Sequence, residues 1–219
     1  MHKTTVPAWA IERGRAMHFF PAIEAKKTAL LVIDMQNYFI APGQGLANPV
    51  TLSTVPTINR IATALRKAGG QVLFSRHTAV DEGSGKLPPW ISRSGPHAES
   101  HAALTAGAQG HGLYRELDVQ PQDQIFDKYR YSAFFNAAID LDKHLRSNGI
   151  DTVIVTGTVT NCCCETTARD AMMRDYKVFF VDDATSAVTD EEHAAALLNM
   201  QIAFADVRPS DEVLALITK

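Results

Sequence analysis

The feature that most constrains this chain is a rhythm. Short, near-continuous apolar runs return along it, with helix-period segments between them. "TALLVID" (28–34), "QVLFS" (71–75), "QIFD" (124–127), "TVIVT" (152–156), "KVFFV" (177–181) and "FADV" (204–207) read as strands. A strand that is apolar at consecutive positions must bury both faces, which suits a parallel sheet covered by helices. The intervening segments carry helix spacing. Ile58, Ile61, Ala62 and Leu65 fall at i, i+3, i+4 and i+7, with Pro56 near the start and Gly69–Gly70 at the end. Ala138, Leu141 and Leu145 form a second stripe, closed by Asn148–Gly149. "TDEEHAAALLNM" opens with Thr189 as N-cap and Glu192 three residues on, the spacing of a capping box. "SDEVLALI" predicts a short C-terminal helix capped by Ser210. This alternation predicts βαβ units with right-handed crossovers, hence a doubly wound three-layer α/β/α sandwich.

The bulk numbers bound the rest. A chain of 219 residues, 46% of them hydrophobic, suffices for one well-buried domain, expected over 28–219 behind an N-terminal polar arm, 1–27. The net charge is −3, with both signs mixed and no basic stripe, which argues against nucleic acid as a partner. No apolar run approaches the ~20 residues of a membrane span. The first twenty residues lack an apolar run followed by a small-residue cleavage site, so they do not read as a signal peptide. Three adjacent cysteines do not pair with one another readily, and free thiols point to a reducing compartment, so the expected location is the cytoplasm.

One region breaks the rhythm. From 76 to 122 no strand is convincing, and the segment is rich in Gly, Pro, Ser and His, with a short helix expected near 98–104. An irregular insertion of that length reads as a pocket wall or lid, with a surface excursion or dimer contact as the alternative.

The chemistry-bearing residues fall at strand ends, where open parallel sheets bind their ligands. The three cysteines, Cys162, Cys163 and Cys164, are consecutive and follow the strand 152–156 and Gly157. That places them at a strand-to-helix turn, where free N–H groups and the helix dipole favour a thiolate and can hold an oxyanion. Neighbouring side chains there diverge, so one thiol faces a given pocket and the others pack as small apolar groups. Asp34 closes the first strand and Lys128 the third. Either alone also reads as a loop carboxylate or a solvated lysine. Together, a thiol, a carboxylate and an ammonium make a coherent nucleophile, base and electrostatic partner.

"ALLVIDMQNYF", "DKYRYSAFFN" and "TGTVTNCCCETTARDA" resemble the three signature blocks of the isochorismatase-like cysteine hydrolases. The resemblance runs from about residue 28 to the C-terminus. It implies a six-stranded parallel sheet and a catalytic triad of Asp34, Lys128 and Cys163. The last block usually reads T-N-x-C-x-E-x-T. Thr160, Asn161, Glu165 and Thr167 fix that register and put Cys163 at the nucleophile position. The resemblance further implies a cis peptide between Thr158 and Val159, backbone N–H groups of Val159 and Cys163 as the oxyanion hole, and a homodimer or homotetramer. The implied chemistry is amide or ureide hydrolysis through a thioester, with a small-molecule substrate and no cofactor.

Within such a family, true isochorismatases cleave a vinyl ether and commonly carry Gly at the nucleophile position; Cys163 argues against that branch. Nicotinamidases carry an Asp-x-His metal motif after the second strand, where this chain reads "SRHTAVDEG", so no metal is expected. His97 and His101 share a helix spacing without an evident third ligand. What remains resembles the ureido and carbamoyl amidohydrolases: N-carbamoylsarcosine, biuret and ureidoacrylate hydrolases. Arg76, Arg93 and Arg130 are candidates for a substrate carboxylate, and Phe39, Trp90 and Tyr131 for the pocket wall. Two other classes remain open on sequence: a thiol redox sensor, which would release no ammonia, and a non-catalytic binding protein.

Overall fold

A computed structural model describes residues 2, 3, 6–92 and 96–217, with the backbone alone at 92 and 96–98. Helix α1 (Ala8–His18) precedes strand β1 (Thr28–Ile33), the short α2 (Asn37–Ile40) and the long α3 (Pro49–Lys67). Strand β2 (Gln71–His77) leads into α4 (Pro89–Ser92) and α5 (Pro96–Leu104), then β3 (Gln124–Lys128) and α6 (Leu141–Ser147). Strand β4 (Thr152–Thr158) is followed by α7 (Glu165–Met172), β5 (Lys177–Ser186), α8 (Asp190–Ala203), β6 (Asp206–Arg208) and α9 (Ser210–Ile217). The six strands form one sheet in the order β3-β2-β1-β4-β5-β6, every pairing parallel.

Two cores explain the apolar runs. Alternate strand residues point to opposite faces. Leu30, Val32, Val72, Phe74, Ile154 and Phe179 pack under α3 and α9 with Ile58, Ile61, Leu65 and Val213. Leu31, Ile33, Leu73, Val153, Val155 and Phe180 pack on the other face with Leu141, Leu145, Ala168 and Leu197 from α6, α7 and α8. Each such side chain contributes about 1.5–3 kcal/mol by leaving water.

Several boundaries differ from the sequence reading. α3 begins at Pro49, with Asn48 accepting from the Val50 amide at 2.8 Å, so Pro56 lies inside the helix and not near its start. Ala138 lies outside α6, which Asp140 caps through the Lys143 amide. Ser210 is the first residue of α9, and its amide and hydroxyl both donate to Asp183. The capping box of Thr189 and Glu192 is present. The N-terminal arm holds α1, whose Ala10, Gly14 and His18 are buried against α8. Gly14 has no room for a side chain there, because an added Cβ would overlap the Gln201 backbone. The 76–122 insertion is less irregular than its composition suggests: β2 runs on to His77, and α4 and α5 lie within it.

Candidate active site

The chain moves outward from β1 to β2 and β3 on one side, and from β4 to β5 and β6 on the other. The crevice between the carboxyl ends of β1 and β4 is therefore the topological switch point. Asp34 follows β1 with φ +49°, a left-handed conformation that Asp tolerates better than branched residues, and it ends the strand there. Gly157, near the end of β4, has φ +111°, and a Cβ at this position would overlap the Ile33 backbone. Only glycine lets the two strands meet this closely below the crevice. The Thr158–Val159 peptide is cis. A single wide π-helical turn, Thr160–Cys164, then carries the three thiols into α7.

Asp34, Lys128 and Cys163 converge. Lys128 Nζ lies 2.7 Å from Asp34 Oδ2 and donates to Cys163 Sγ at 3.3 Å and to the Arg130 carbonyl at 2.9 Å. Its three N–H donors thus have three neighbours in an interior that water does not reach. The contact with Asp34 is a fully buried ion pair. Asp34 Oδ1 accepts from Ser75 Oγ at 2.7 Å, and Ser75 Oγ accepts from the Asp34 amide at 3.2 Å. Ser75 is buried in β2 and escaped the sequence reading, because a serine inside a strand carries no local signal.

Burial dominates the electrostatics. It pushes the Cys163 thiol well above its ordinary range; Lys128 opposes this and Asp34 reinforces it. The Asp34–Lys128 pair is already neutral, so ionising the thiol alone would bury an uncompensated charge. Burial also works against the Lys128 ammonium, but Asp34 and Cys163 more than offset it and hold Lys128 above its ordinary value. A proton passed from Cys163 to Asp34 leaves the three groups with the same net charge. This arrangement favours transfer within the triad over loss to solvent.

A cavity of about 420 Å³ opens over these residues. Asp34, Thr158, Val159, Cys162 and Cys163 line it on the sheet side, and Val80, Leu87, Ile91 and Leu104 line it from the 76–122 insertion. Phe39, Arg130 and Tyr131 border it. Trp90 does not: it is 77% exposed, and its neighbour Ile91 takes the inward place, because one step along a helix rotates a side chain by about 100°. Arg76 pairs with Asp127 at 2.7 Å and is not part of the lining. Arg130 donates to the carbonyls of Ser84, Gly85, Lys86 and Tyr129, so its guanidinium clamps the loop that forms the cavity rim. Arg93 and the His97 side chain lie outside the described residues, while His101 pairs with Asp81 at 3.1 Å.

The turn that carries the three thiols is held from below. Thr160 Oγ1 bonds His193 Nδ1 of α8 at 2.9 Å. Thr167 Oγ1 accepts from the Ala133 amide at 3.1 Å, tying α7 to the loop after Lys128. Cys164 is fully buried, and Cys162 is half-buried at the cavity wall.

Residues 28–212 match the family model described as the isochorismatase domain. The chain is 33% identical over 192 residues to Nicotinamidase 3 of Arabidopsis thaliana, covering 86% of this chain and 88% of the relative. It is 35% identical over 207 residues to the ureidoacrylate amidohydrolase of Stutzerimonas stutzeri, covering 87% and 82%. A crystal structure of a cysteine hydrolase from Pseudomonas syringae pv. phaseolicola superposes with a TM-score of 0.82 at 32% identity, over 92% of this chain and 96% of the other. N-carbamoylsarcosine amidase of Thermoplasma acidophilum follows the same fold, with a TM-score of 0.69 at 29% identity, over 84% and 97%. A sheet, a switch-point site and a sequence that agree over this extent with such relatives place the chain in the isochorismatase-like hydrolase family.

Proposed function

We propose that this protein is a cysteine hydrolase that cleaves a C–N bond in a small amide, ureido or carbamoyl compound. The observation that carries the reading is Lys128 Nζ, which touches Asp34 Oδ2 and Cys163 Sγ at once in a fully buried position. Asp34 takes the thiol proton as Cys163 attacks the carbonyl carbon. Lys128 stays charged throughout and stabilises whichever partner is anionic. The backbone N–H groups of Val159 and Cys163, at the cavity wall, are the groups proposed to hold the oxyanion. Asp34 returns the proton to the leaving nitrogen, the C–N bond breaks, and an acyl group remains on sulfur. A water activated by Asp34 then hydrolyses the thioester and regenerates the thiol.

The amidohydrolases and amidases among the relatives support the bond type. A cavity of about 420 Å³ is of the size that takes a small-molecule substrate. The test is an ammonia-release screen over ureides, carbamoyl amino acids and simple primary amides. Release from at least one class, abolished by prior alkylation of Cys163, is the expected result. Turnover of isochorismate with none of any C–N compound would overturn the reading.

A further inference from the structure

His77 is an ionisable group at the cavity wall, acted on by both Lys128 and Asp34, that the proposed chemistry leaves unused. It ends β2 and pairs in register with Lys128 across the parallel β2–β3 ladder, so the two side chains leave the sheet on the same face. Its backbone is fixed: the His77 amide donates to Gln36 Oε1 at 2.7 Å, and Gln36 Nε2 donates to the His77 carbonyl at 3.1 Å. Gln36 is itself fully buried, and its Nε2 is also bonded to the His111 carbonyl at 2.9 Å. So rigid a mount fixes where the imidazole stands.

The ring is unusual in its partners. Nδ1 is sealed from solvent and bonded to nothing among the described residues. Nε2 is not sealed in this way, and the imidazole borders the cavity. The groups acting on it are Lys128, Asp34, Arg130 and His111. Burial and the Lys128 charge lower its pKa to about 4, while Asp34 opposes them. The ring is therefore neutral at pH 7, with one N–H. A sealed N–H without an acceptor costs more than a sealed lone pair, so the proton belongs on Nε2 and the lone pair on Nδ1.

We infer that His77 is a substrate-selecting residue: its Nε2–H donates a hydrogen bond to a second acceptor oxygen of the substrate, separate from the carbonyl that Cys163 attacks. This inference rests on the proposed hydrolase reading and narrows it. The substrate class becomes a compound in which the scissile amide or ureide carbonyl has a neighbouring carbonyl or carboxylate oxygen. A simple primary amide leaves the Nε2–H unpaired in the complex. A cationic group at that place meets a donor and is rejected. Because the ring is neutral, this selection does not change with pH from 6 upwards.

The test uses binding, so that it does not depend on turnover. Intact Cys163→Ala protein is titrated with biuret, which carries a second carbonyl, and with acetamide, which does not. The inference expects biuret to bind more tightly, and His77→Leu to weaken biuret by about tenfold while leaving acetamide unchanged. His77→Gln, which keeps a donor, recovers most of the loss. Nitrogen-15 NMR of the unliganded protein at pH 7 should show the Nε2–H tautomer, with the Nε2 resonance moving when biuret is added. An Nδ1–H tautomer, an imidazolium at pH 7, absent biuret binding, or equal losses for both probes in His77→Leu overturns the inference. If the binding and tautomer results hold while native enzyme releases no ammonia from any C–N compound, the hydrolase reading fails and the His77 site stands.

Discussion

Ser75 and Asp34 hold each other from both sides: the hydroxyl donates to Asp34 Oδ1 at 2.7 Å, and the Asp34 amide donates back to the same hydroxyl at 3.2 Å. The proposed base thus has one oxygen on a neutral donor and the other on Lys128. Removing the hydroxyl leaves a buried carboxylate oxygen unsatisfied, at a cost of about 1–3 kcal/mol. Ser75→Ala is expected to lower kcat roughly tenfold or more and to reduce unfolding stability, with little effect on KM. Steady-state kinetics beside urea unfolding checks this. Unchanged kcat would show that Ser75 only fills space.

The resting state of the proposed nucleophile makes a second prediction. With the Cys163 thiol pushed up by burial, its ionised fraction rises with pH right through neutrality. Alkylation by iodoacetamide is expected to accelerate continuously from pH 6 to 9, by up to tenfold per unit. A rate already on a plateau at pH 6 would mean a preformed thiolate–ammonium pair, and the proton-transfer role of Asp34 would be lost with it.

Acid sensitivity follows from two histidines, His77 and His193. Burial lowers His77 and His193 to about 4, helped by Lys128 for the first and by the stacked ring of His2 for the second. Their unfolded-state value is near 6.5. A base depressed in the folded state binds fewer protons folded than unfolded, so its stability is complete above about pH 6.5 and is lost as pH falls towards 4. The urea midpoint should fall between pH 7 and pH 5. His193→Asn, which keeps a polar partner for Thr160, should fall less steeply. Equal slopes for the two proteins would contradict the assignment.

Arg66 closes the insertion onto α3. It bonds Asp123 through Nε and NH2 and Asp118 through NH1, and the Asp123 side chain is 1% exposed. Breaking a pair this deeply buried leaves a charge without compensation, worth about 3–5 kcal/mol. Arg66→Leu should destabilise the protein by that order in chemical unfolding. A change below about 0.5 kcal/mol would show that the bracket contributes nothing.

Asp34, Lys128 and the cysteine cluster stand out in the sequence for a physical reason, while the choice of Cys163 among the three thiols rests on the family resemblance. Each follows an apolar run that had to be a buried strand, and the ends of such strands are where the switch point lies. Ser75 and His77 stand in or at the end of one of these strands, yet nothing local separates a serine that holds a buried carboxylate from one that merely packs. Trp90 is a pocket-wall candidate on sequence, but helical phase decides such matters and gives that place to Ile91. α1 escaped because its buried stripe is Ala10, Gly14 and His18, small or polar residues that carry no hydrophobic periodicity. Long-range partners such as Thr160 and His193, 33 residues apart, have no signature in one sequence.

The central claim is that Cys163 alone among three adjacent thiols carries the reaction. The most direct measurement compares ammonia release by Cys162→Ala, Cys163→Ala, Cys163→Ser and Cys164→Ala on a substrate of the native enzyme, with intact mass recorded during turnover. The account predicts that both Cys163 variants lose activity by at least 10³-fold, that Cys162→Ala and Cys164→Ala retain most of it, and that an acyl adduct appears only on proteins that keep Cys163. Substantial ammonia release by Cys163→Ala would contradict it.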